Sequence, residues 1–441
     1  MALPLKIPFY KLTDVGIKRS HNQDNCAAQP ASDDANLNGP GHVFIVADGM
    51  GGHAVGEKAS ELAVRNIPLI YRKHIETNDA YQAIRTAFEE ANASIFGIGK
   101  NNPEFKGLGT TGTALFLRQD GAWLGHVGDS RGYRIRKGVI EQLTFDHSWV
   151  WEIARRQGID PDELGDFKKN VIIRSLGPDE NVDVDVEGPH PIEPGDTFLL
   201  CSDGLSNQVP PDEIAALAGT LPPEEACQLL IDLANIRGGP DNITCLIVQV
   251  PGESKPSEKA VLAPKFFQKV TAKVPLPFLM LGIGSLATLL SVLMQTNEIP
   301  GAGALFGIAA ILILAGLGFL FPYLKKSAMN AELATSRPNE LRVYRSYPFE
   351  LSKAIHDRIA ASESVMKDVL KESGVTLDWV AYQRLSDDAT AKAAKLEMVS
   401  AFRVRCQAFR MLSKAFNAER NKDESFKPNY TQPAQALSGS S

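Results

Sequence analysis

Short apolar runs and polar turns alternate along the chain as far as Pro251. Apolar runs of four to eight residues that are bounded by Gly, Asp or Pro predict strands. The strand candidates are His42–Ala47, Thr113–Leu117, Trp123–Val127, Thr197–Cys201 and Ile243–Val250. Apolar residues recur at spacings of three and four in Gly56–Ile70 and Asp79–Phe96, which predicts two helices. The pattern therefore predicts one domain over residues 1–251 that contains both sheet and helix.

Two long apolar runs follow a polar segment. Residues 252–275 are rich in Pro, Ser and Lys without a sustained period, which is typical of a linker. The runs 276–295 and 301–321 contain no Lys, Arg, Asp or Glu. Each has the roughly 20 residues that are needed to cross ~30 Å of hydrocarbon. We expect a transmembrane hairpin over 276–324; the alternative is a buried helical hairpin of a soluble domain.

The charges around the two runs predict their orientation. Lys265, Lys269 and Lys273 precede the pair and Lys325 and Lys326 follow it, whereas the connection carries only Glu298. Lysine accumulates on the cytoplasmic side of a membrane, so both flanks and both termini should be cytoplasmic. The first ten residues lack the features of a secretory signal, which agrees with a cytoplasmic first domain.

Helical periodicity returns after the hairpin, in residues 325–420. One apolar stripe contains Ile355, Ile359, Met366 and Leu370. A second, on a basic helix, contains Leu396, Val399, Cys406, Phe409 and Phe416. These stripes predict a small cytoplasmic helical bundle that buries its own apolar faces. The alternatives are pairing with a partner helix or binding to anionic lipid. Residues 421–441 are predicted to be a disordered tail.

Composition and charge narrow the classes of function. Hydrophobic residues make up 44% and charged residues 22% of the chain, which excludes a wholly disordered protein. The net charge of −6 offers no general attraction to a phosphate backbone, so we expect no nucleic-acid partner. The five cysteines are scattered without a C-x-x-C spacing, which indicates neither a disulfide framework nor a zinc site.

Four aspartates stand at the edges of strand candidates: Asp48, Asp129, Asp203 and Asp241. An Asp-Gly pair after a strand is usually only a turn, so each alone is a weak signal. Together they can converge on one cleft, where their charges would repel one another without a cation. Oxygen ligands suit hard ions such as Mg²⁺ or Mn²⁺, and we infer a site for two ions.

The order of the surrounding motifs resembles a known family. D-V-G-x-x-R-S-H-N-Q-D (Asp14–Asp24) is followed by V-A-D-G-M-G-G-H, G-T-T-G-T-A, H-V-G-D-S-R, L-T-F-D-H-S, L-L-C-S-D-G-L and G-G-P-D-N-I-T. This succession, from Tyr10 to Val250, is similar to the bacterial form of the PPM family, the type-2C metal-dependent Ser/Thr protein phosphatases. The resemblance implies an α+β fold: a four-layer αββα sandwich of two antiparallel sheets flanked by helices.

The resemblance also implies roles for the aspartates. Asp48 would bridge two metal ions, and Gly49 would offer its backbone carbonyl to one of them. Asp203 and Asp241 would complete the other ion. Asp129, together with Asp203, matches the position of a third ion in bacterial members. The expected cofactor is therefore Mn²⁺ or Mg²⁺, as two ions with a third position.

Two further residues and a mechanism follow from the resemblance. Asp24 would hold metal-bound water, with a structural turn as the alternative, and Arg19 would bind the substrate phosphate. A water that bridges two cations would lose its proton and attack phosphorus directly. Met50 stands where animal relatives have the histidine proposed as general acid, so that acid is unassigned; His53 is one candidate.

The expected function is that of a membrane-anchored phosphatase acting on phosphoserine and phosphothreonine in proteins. Its expected place is a bacterial inner membrane, and its expected partners are phosphorylated proteins, including cognate Ser/Thr kinases. Residues 148–177 lie where the family has a mobile flap beside the metals, with an ordinary helix and loop as the alternative. The rival function is a membrane-tethered phosphoprotein-binding scaffold with little turnover.

Overall fold

The computed structural model describes residues 3–51, 54–164, 171–252, 276–297, 299–335 and 342–422. Its strands are β1 (Phe9–Asp14), β2 (Asp24–Gln29), β3 (His42–Met50), β4 (Gly109–Thr110), β5 (Gly112–Arg118), β6 (Gly121–Val127), β7 (Arg131–Arg136), β8 (Val139–Gln142), β9 (Asp185–His190), β10 (Thr197–Cys201), β11 (Ile243–Gln249) and β12 (Arg345–Pro348).

The α-helices are α1 (Asp34–Asn38), α2 (Ala54–His74), α3 (Ala80–Asn101), α4 (Trp149–Gln157), α5 (Asp203–Ser206), α6 (Pro211–Ala218), α7 (Pro223–Ile236), α8 (Leu276–Thr296), α9 (Ala302–Thr335), α10 (Lys353–Glu372), α11 (Trp379–Ala394) and α12 (Met398–Lys422). Short 3-10 helices occupy Pro103–Phe105 and Pro161–Leu164. Every strand and helix candidate from the sequence is present, and most are longer by one to a few residues at their ends.

The strands form two antiparallel sheets. The first sheet has the order β1-β11-β10-β7-β8-β12, and the second has the order β2-β3-β5-β6-β9 with β4 beside β3. Helices α2 and α3 cover the outer face of the second sheet, whereas α6 and α7 cover that of the first. The predicted sandwich of two antiparallel sheets flanked by helices is confirmed.

Alternation along the strands explains these layers. In β10, Phe198 and Leu200 lie in the core between the sheets, whereas Leu199 and Cys201 lie in the core under α6 and α7. Neighbouring side chains of a strand point to opposite faces, so a continuous apolar run feeds two cores at once. The continuous apolar runs in the sequence, in which polar and apolar residues do not alternate, are therefore the central strands.

The described residues from 342 onward pack onto this sandwich and form one compact unit with it. Helices α10 and α12 pack against α7, and their apolar side chains share a core with those of α6 and α7. Arg358 pairs with Glu213 at 2.6 Å, and the Ser413 hydroxyl donates a hydrogen bond to Asp232. Helices α10, α11 and α12 also pack on one another, so the bundle buries its stripes partly within itself and partly on the first domain.

The second predicted stripe is wrong at its start. Leu396 and Val399 are 77% and 51% exposed. Leu396 precedes α12 and has a φ of 63°, so it does not belong to the helical period. The buried face of α12 instead consists of Phe402, Cys406, Phe409, Leu412 and Phe416.

Helices α8 and α9 belong to a second compact unit. Leu279–Thr296 and Ala302–Leu320 are long and apolar enough to cross a membrane, by length and composition, and only 11% of each is buried. The helices approach closely at Gly284, where an added Cβ would lie 2.7 Å from Ile313, and at Gly316, where it would lie 2.9 Å from Leu281.

Several sequence predictions lie wholly or partly outside the described residues. Those outside the predicted site concern the linker from residue 253 to 275, the charge at Glu298 and the tail from residue 423 to 441. The predicted tail begins two residues too early, since α12 runs to Lys422.

The shared core predicts that damage to α12 destabilises the first domain. Phe409→Ala removes a fully buried ring from the core with α6 and α7, so the free energy of unfolding should fall by about 3–5 kcal/mol. Denaturant titration of the detergent-solubilised chain measures the loss. Val399→Ala, at a half-exposed position of the same helix, should change it by less than about 0.5 kcal/mol. Unfolding of the C-terminal helices alone, with the sandwich unaffected, would contradict the shared core.

Candidate metal centre

Five aspartates meet at one edge of the sandwich because antiparallel strands bring their ends there. Asp24 begins β2 and faces Asp48 near the end of β3 in the same register. Asp129 follows β6, where the chain crosses from the second sheet to the first. Asp203 follows β10 and Asp241 precedes its neighbour β11. The structure therefore brings together all of the aspartates predicted for the site.

The electrostatics of this edge are unfavourable for free carboxylates. Loss of solvent, followed by the charges of Asp24, Asp203, Asp129 and Asp241, holds the pKa of Asp48 well above its usual range. Burial raises the pKa of Asp24 to about 7 and that of Asp203 to about 6. Clustered carboxylates with raised pKa values are stabilised in their charged form by a cation among them.

The donor atoms fit a hard divalent cation. The Oδ1 atoms of Asp24, Asp129 and Asp203 are buried and accept no hydrogen bond from the described part of the chain. Nowhere in the described part of the chain are three His, Cys, Asp or Glu side chains close enough together to bind an ion without further ligands. Mg²⁺ and ions like it usually retain several water ligands and accept carbonyl oxygens, so a partly hydrated ion suits this donor set.

Any side chain at position 49 would force the surrounding backbone to move. A Cβ at this position would lie 2.1 Å from the Gly56 carbonyl oxygen and 2.6 Å from that of Gln23. The Gly49 amide donates to the same Gln23 oxygen at 3.1 Å. This close approach fixes the end of β3 against the segment that leads into β2, and it places the predicted carbonyl ligand beside Asp48.

Two hydroxyl groups that the sequence did not single out hold Asp24. The hydroxyls of Ser202 and Thr244 donate to Asp24 Oδ2 at 2.6 and 2.7 Å. The Thr244 amide in turn donates to Ser202 Oγ at 3.0 Å. One carboxylate oxygen is thus fixed by the first sheet, and the other is left for a water or an ion. The sequence signal that could have identified Ser202 and Thr244 was their position close to Asp203 and Asp241 in the aspartate motifs.

A buried ion pair supports the turn that carries Asp129. Nε and Nη2 of Arg131 donate to Asp146 Oδ2 at 2.8 and 2.7 Å. Burial, followed by the charges of Asp203 and Asp146, holds the pKa of Asp129 well above its usual range, although Arg131 opposes this shift. Arg131 is therefore committed to Asp146 rather than to an incoming ligand.

Arg19 lies at the same edge on the loop that joins β1 to β2. Its guanidinium is half-exposed and pairs with Asp241 at 2.8 Å. Asn242 fixes this loop, since its Nδ2 donates to two loop carbonyls at 2.9 Å and its Oδ1 accepts from the Gln23 amide at 2.8 Å. The arginine predicted to bind phosphate is therefore held next to a predicted metal ligand.

The last helix of the chain reaches this loop. Arg420 of α12 pairs with Asp14 at 2.6 Å and donates to the Gly16 carbonyl at 3.2 Å. Asp14 ends β1 and accepts from the Gly16 amide at 2.8 Å. No sequence period predicts this contact, because periodicity does not connect positions about 400 residues apart.

A cavity of about 540 Å³ opens at this edge, and Arg19, Asp129, Asp203 and Asp241 line it. Trp151 of α4, within the segment predicted to be a flap, also lines this cavity. The flap residues 165–170 and the general-acid candidate His53 lie outside the described residues. The roles of Arg19, Asp24, Asp48, Gly49, Asp129, Asp203 and Asp241 as ligands or supports stay a prediction.

Comparisons with known proteins agree on one family. The model of the family "Protein phosphatase 2C" matches residues 10–151. The serine/threonine phosphatase stp of Listeria monocytogenes is 38% identical over 244 residues, which cover 54% of this chain and 93% of the relative. The protein phosphatase PhpP of Streptococcus pneumoniae is 35% identical over 247 residues, which cover 55% and 97%.

A solved structure gives the same result. The serine/threonine phosphatase of S. agalactiae is 34% identical, with a TM-score of 0.50, and the match covers 56% of this chain and 100% of that one. The similarity therefore concerns the sandwich rather than the whole chain.

The raised pKa of Asp24 predicts a gain in stability for Asp24→Asn when EDTA removes metal ions. The folded pKa of about 7 lies above the unfolded value of 3.8, so the stability from this group is lost as the pH rises from about 4 to about 7. The uncharged amide should raise the free energy of unfolding at pH 8 by ~1–3 kcal/mol, and by less at pH 5.

Denaturant titrations in EDTA at the two pH values measure this difference. Asp368→Asn, at an exposed position of α10, is the matched control and should change little. With Mn²⁺ present, Asp24→Asn should gain less stability from the ion than the unmodified chain does. A variant that is less stable than the unmodified chain at pH 8 in EDTA contradicts the raised pKa of Asp24, which burial and, to a smaller extent, the neighbouring carboxylates cause.

Proposed function

This chain belongs to the protein phosphatase 2C family and is a serine/threonine protein phosphatase, and we propose that it hydrolyses phosphoserine and phosphothreonine on proteins at a membrane. Members of the family depend on Mn²⁺ or Mg²⁺. The observation that carries the proposal is the group of five aspartates at one edge of the sandwich, three of which line a cavity together with Arg19. Such a group suits phosphoryl transfer, in which positioning and charge stabilisation supply most of the catalysis.

The proposed ligand set uses the residues at the sandwich edge. Asp48 would be shared by two ions, with the Gly49 carbonyl on one of them and Asp203 and Asp241 on the other. Asp129, with Asp203, would hold a third. When bound, these ions would make the attacking water more acidic and offset the negative charge that develops on the phosphoryl oxygens.

The chain itself orients the reactants. The half-exposed guanidinium of Arg19 can donate two parallel hydrogen bonds to the phosphate oxygens. Asp24, whose Oδ2 is fixed by Ser202 and Thr244, offers its Oδ1 to a water in the site. A thiolate nucleophile is unsuited to this site, because all five cysteines are buried and burial raises the pKa of Cys201 to about 12.

Phosphate release from a phosphothreonine peptide by the full detergent-solubilised chain tests the enzymatic proposal. We expect turnover with Mn²⁺ and its loss in EDTA. Asp203→Asn should lower kcat/KM by at least about 100-fold, because it removes a carboxylate shared by two ions. Asp368→Asn again serves as the control and should retain activity. A folded chain that binds Mn²⁺ but releases no phosphate would instead support the scaffold alternative.

We also propose that α8 and α9 cross the inner membrane of a bacterium twice, with the phosphatase domain and both termini in the cytoplasm. Leu286 and Leu314, near the middle of the two helices, are exposed on their outer faces. An apolar surface of this kind is stable in lipid but costly in water. The anchor would raise the effective concentration of membrane-bound phosphoproteins, such as cognate Ser/Thr kinases.

Labelling with a membrane-impermeant maleimide tests this topology, because the five native cysteines are buried. Asn297→Cys, in the connection between the helices, should react in cells whose outer barrier has been opened but whose inner membrane is intact. Glu76→Cys, at an exposed site of the sandwich domain, should react only after lysis. Equal labelling of the two positions before lysis would exclude the proposed orientation.

A further inference from the structure

A strand from beyond the apolar hairpin forms one wall of the phosphatase cavity. β12 pairs antiparallel with β8 at the edge of the first sheet, with Arg345 opposite Gln142 and Tyr347 opposite Ile140. Alternate residues of a strand share a face, and both Arg345 and Tyr347 line the cavity that Arg19 and the aspartates line. The family model ends at residue 151, so this wall is a feature of the chain and not of the matched motifs.

The guanidinium of Arg345 is held in place from three directions. It lies 5.5 Å from the ring centre of Trp151 and 5.3 Å from that of Tyr347. It also pairs with Asp162, in the 3-10 helix that follows α4. A planar guanidinium that lies over aromatic rings can still pair with a carboxylate or phosphate through its edge, as Arg345 pairs with Asp162. The arginine is thus preorganised to bind an anion.

The wall itself is firmly attached to the sandwich. The ring of Tyr344 packs 5.5 Å from that of Phe145, which in turn makes an edge contact with Trp151 at 5.2 Å. The Tyr344 hydroxyl donates to Glu187 of β9 at 2.9 Å. A rigid support of this kind allows the position of Arg345 to select among substrates, since a mobile side chain would lose more entropy on binding.

Exposure distinguishes the pair Arg345–Asp162 from the pair Arg131–Asp146, which lines the same cavity. The side chain of Arg345 is 9% exposed, whereas that of Asp162 is 67% exposed. The side chains of Arg131 and Asp146 are 14% and 4% exposed, so an incoming carboxylate cannot easily replace Asp146. Because an ion pair with a carboxylate as exposed as that of Asp162 contributes little stability, another carboxylate can take its place at Arg345.

We propose that Arg345 determines substrate specificity by binding an acidic group next to the phosphorylated residue of a protein substrate, at a position that Asp162 occupies in the free enzyme. This inference rests on the proposed phosphatase function. The exchange replaces one charge-assisted hydrogen-bonded pair by another, so an acidic flank gains affinity while a neutral flank must leave Asp162 in place. The C-terminal strand is then part of the substrate-binding site.

Two phosphothreonine peptides that differ only in Glu or Gln residues beside the phosphothreonine test this role in the full chain. The unmodified enzyme should have a KM about 10-fold lower for the Glu peptide. Arg345→Gln should abolish this preference, with activity on para-nitrophenyl phosphate retained within about twofold. Arg342→Gln is the matched control, because Arg342 is half-exposed on the same segment and pairs weakly with Glu187 instead. It should keep the preference.

The variant Asp162→Asn tests whether the Arg345–Asp162 pair takes part in substrate recognition or only supports the wall that β12 forms. If Asp162 competes with the substrate, its neutral variant should lower the KM for the Glu peptide about two- to fivefold. If the pair only braces the wall, the same variant should raise the KM for both peptides.

Three results overturn the inference: a Glu preference that persists in Arg345→Gln, a raised KM in Asp162→Asn, or equal hydrolysis of both peptides by the unmodified enzyme. Each of these leaves the proposed phosphatase function standing. A chain that hydrolyses neither the peptides nor para-nitrophenyl phosphate refutes the proposed phosphatase function, and the subsite with it.

Discussion

Repulsion among carboxylates at one edge of the sandwich is the constraint on which the site depends. Burial, followed by the charges of four other aspartates, holds the pKa of Asp48 well above its usual range. Such a cluster persists in a folded protein only if rigid strands hold it and a cation offsets it. The hydroxyls of Ser202 and Thr244 and the close backbone packing at Gly49 provide that rigidity. The aspartate cluster therefore lowers the stability of the fold at the edge where the chemistry is proposed to occur. The apolar cores of the sandwich provide the stability that offsets this loss.

The second feature of general interest is the return of the chain to its first domain. Helices α10 and α12 extend the core beneath α6 and α7, β12 extends the first sheet, and Arg420 reaches the loop of Arg19. The relatives match only about half of this chain. The additional residues are not simply appended to the sandwich: α12 contacts the loop that carries the predicted phosphate ligand, and β12 forms one wall of the cavity.

Elements with a strong hydrophobic period were predictable from the sequence, whereas elements with a weak period were not. Central strands such as β3 and β10 bury both faces, so their apolar runs were plain, and the ends of α2 and α3 were placed within a few residues. Strands with mixed composition, such as β7 and β12, were missed because an edge or half-polar strand lacks that run. The stripe of α12 was started too early because Leu396 has the right spacing but precedes the helix.

The sequence by itself predicted the central strands, the helices and the apolar hairpin, because short-range periods are written in neighbouring positions. The family resemblance of its compact motifs implied the sandwich and the site residues from Arg19 to Asp241. Only the tertiary structure decided which other residues hold the motif residues in place. The hydroxyls that hold Asp24, the pair of Arg420 with Asp14 and the position of Arg345 beside Trp151 join residues far apart in the chain. Such contacts depend on how the sheets stack and where the last helices pack, and no local pattern encodes that choice.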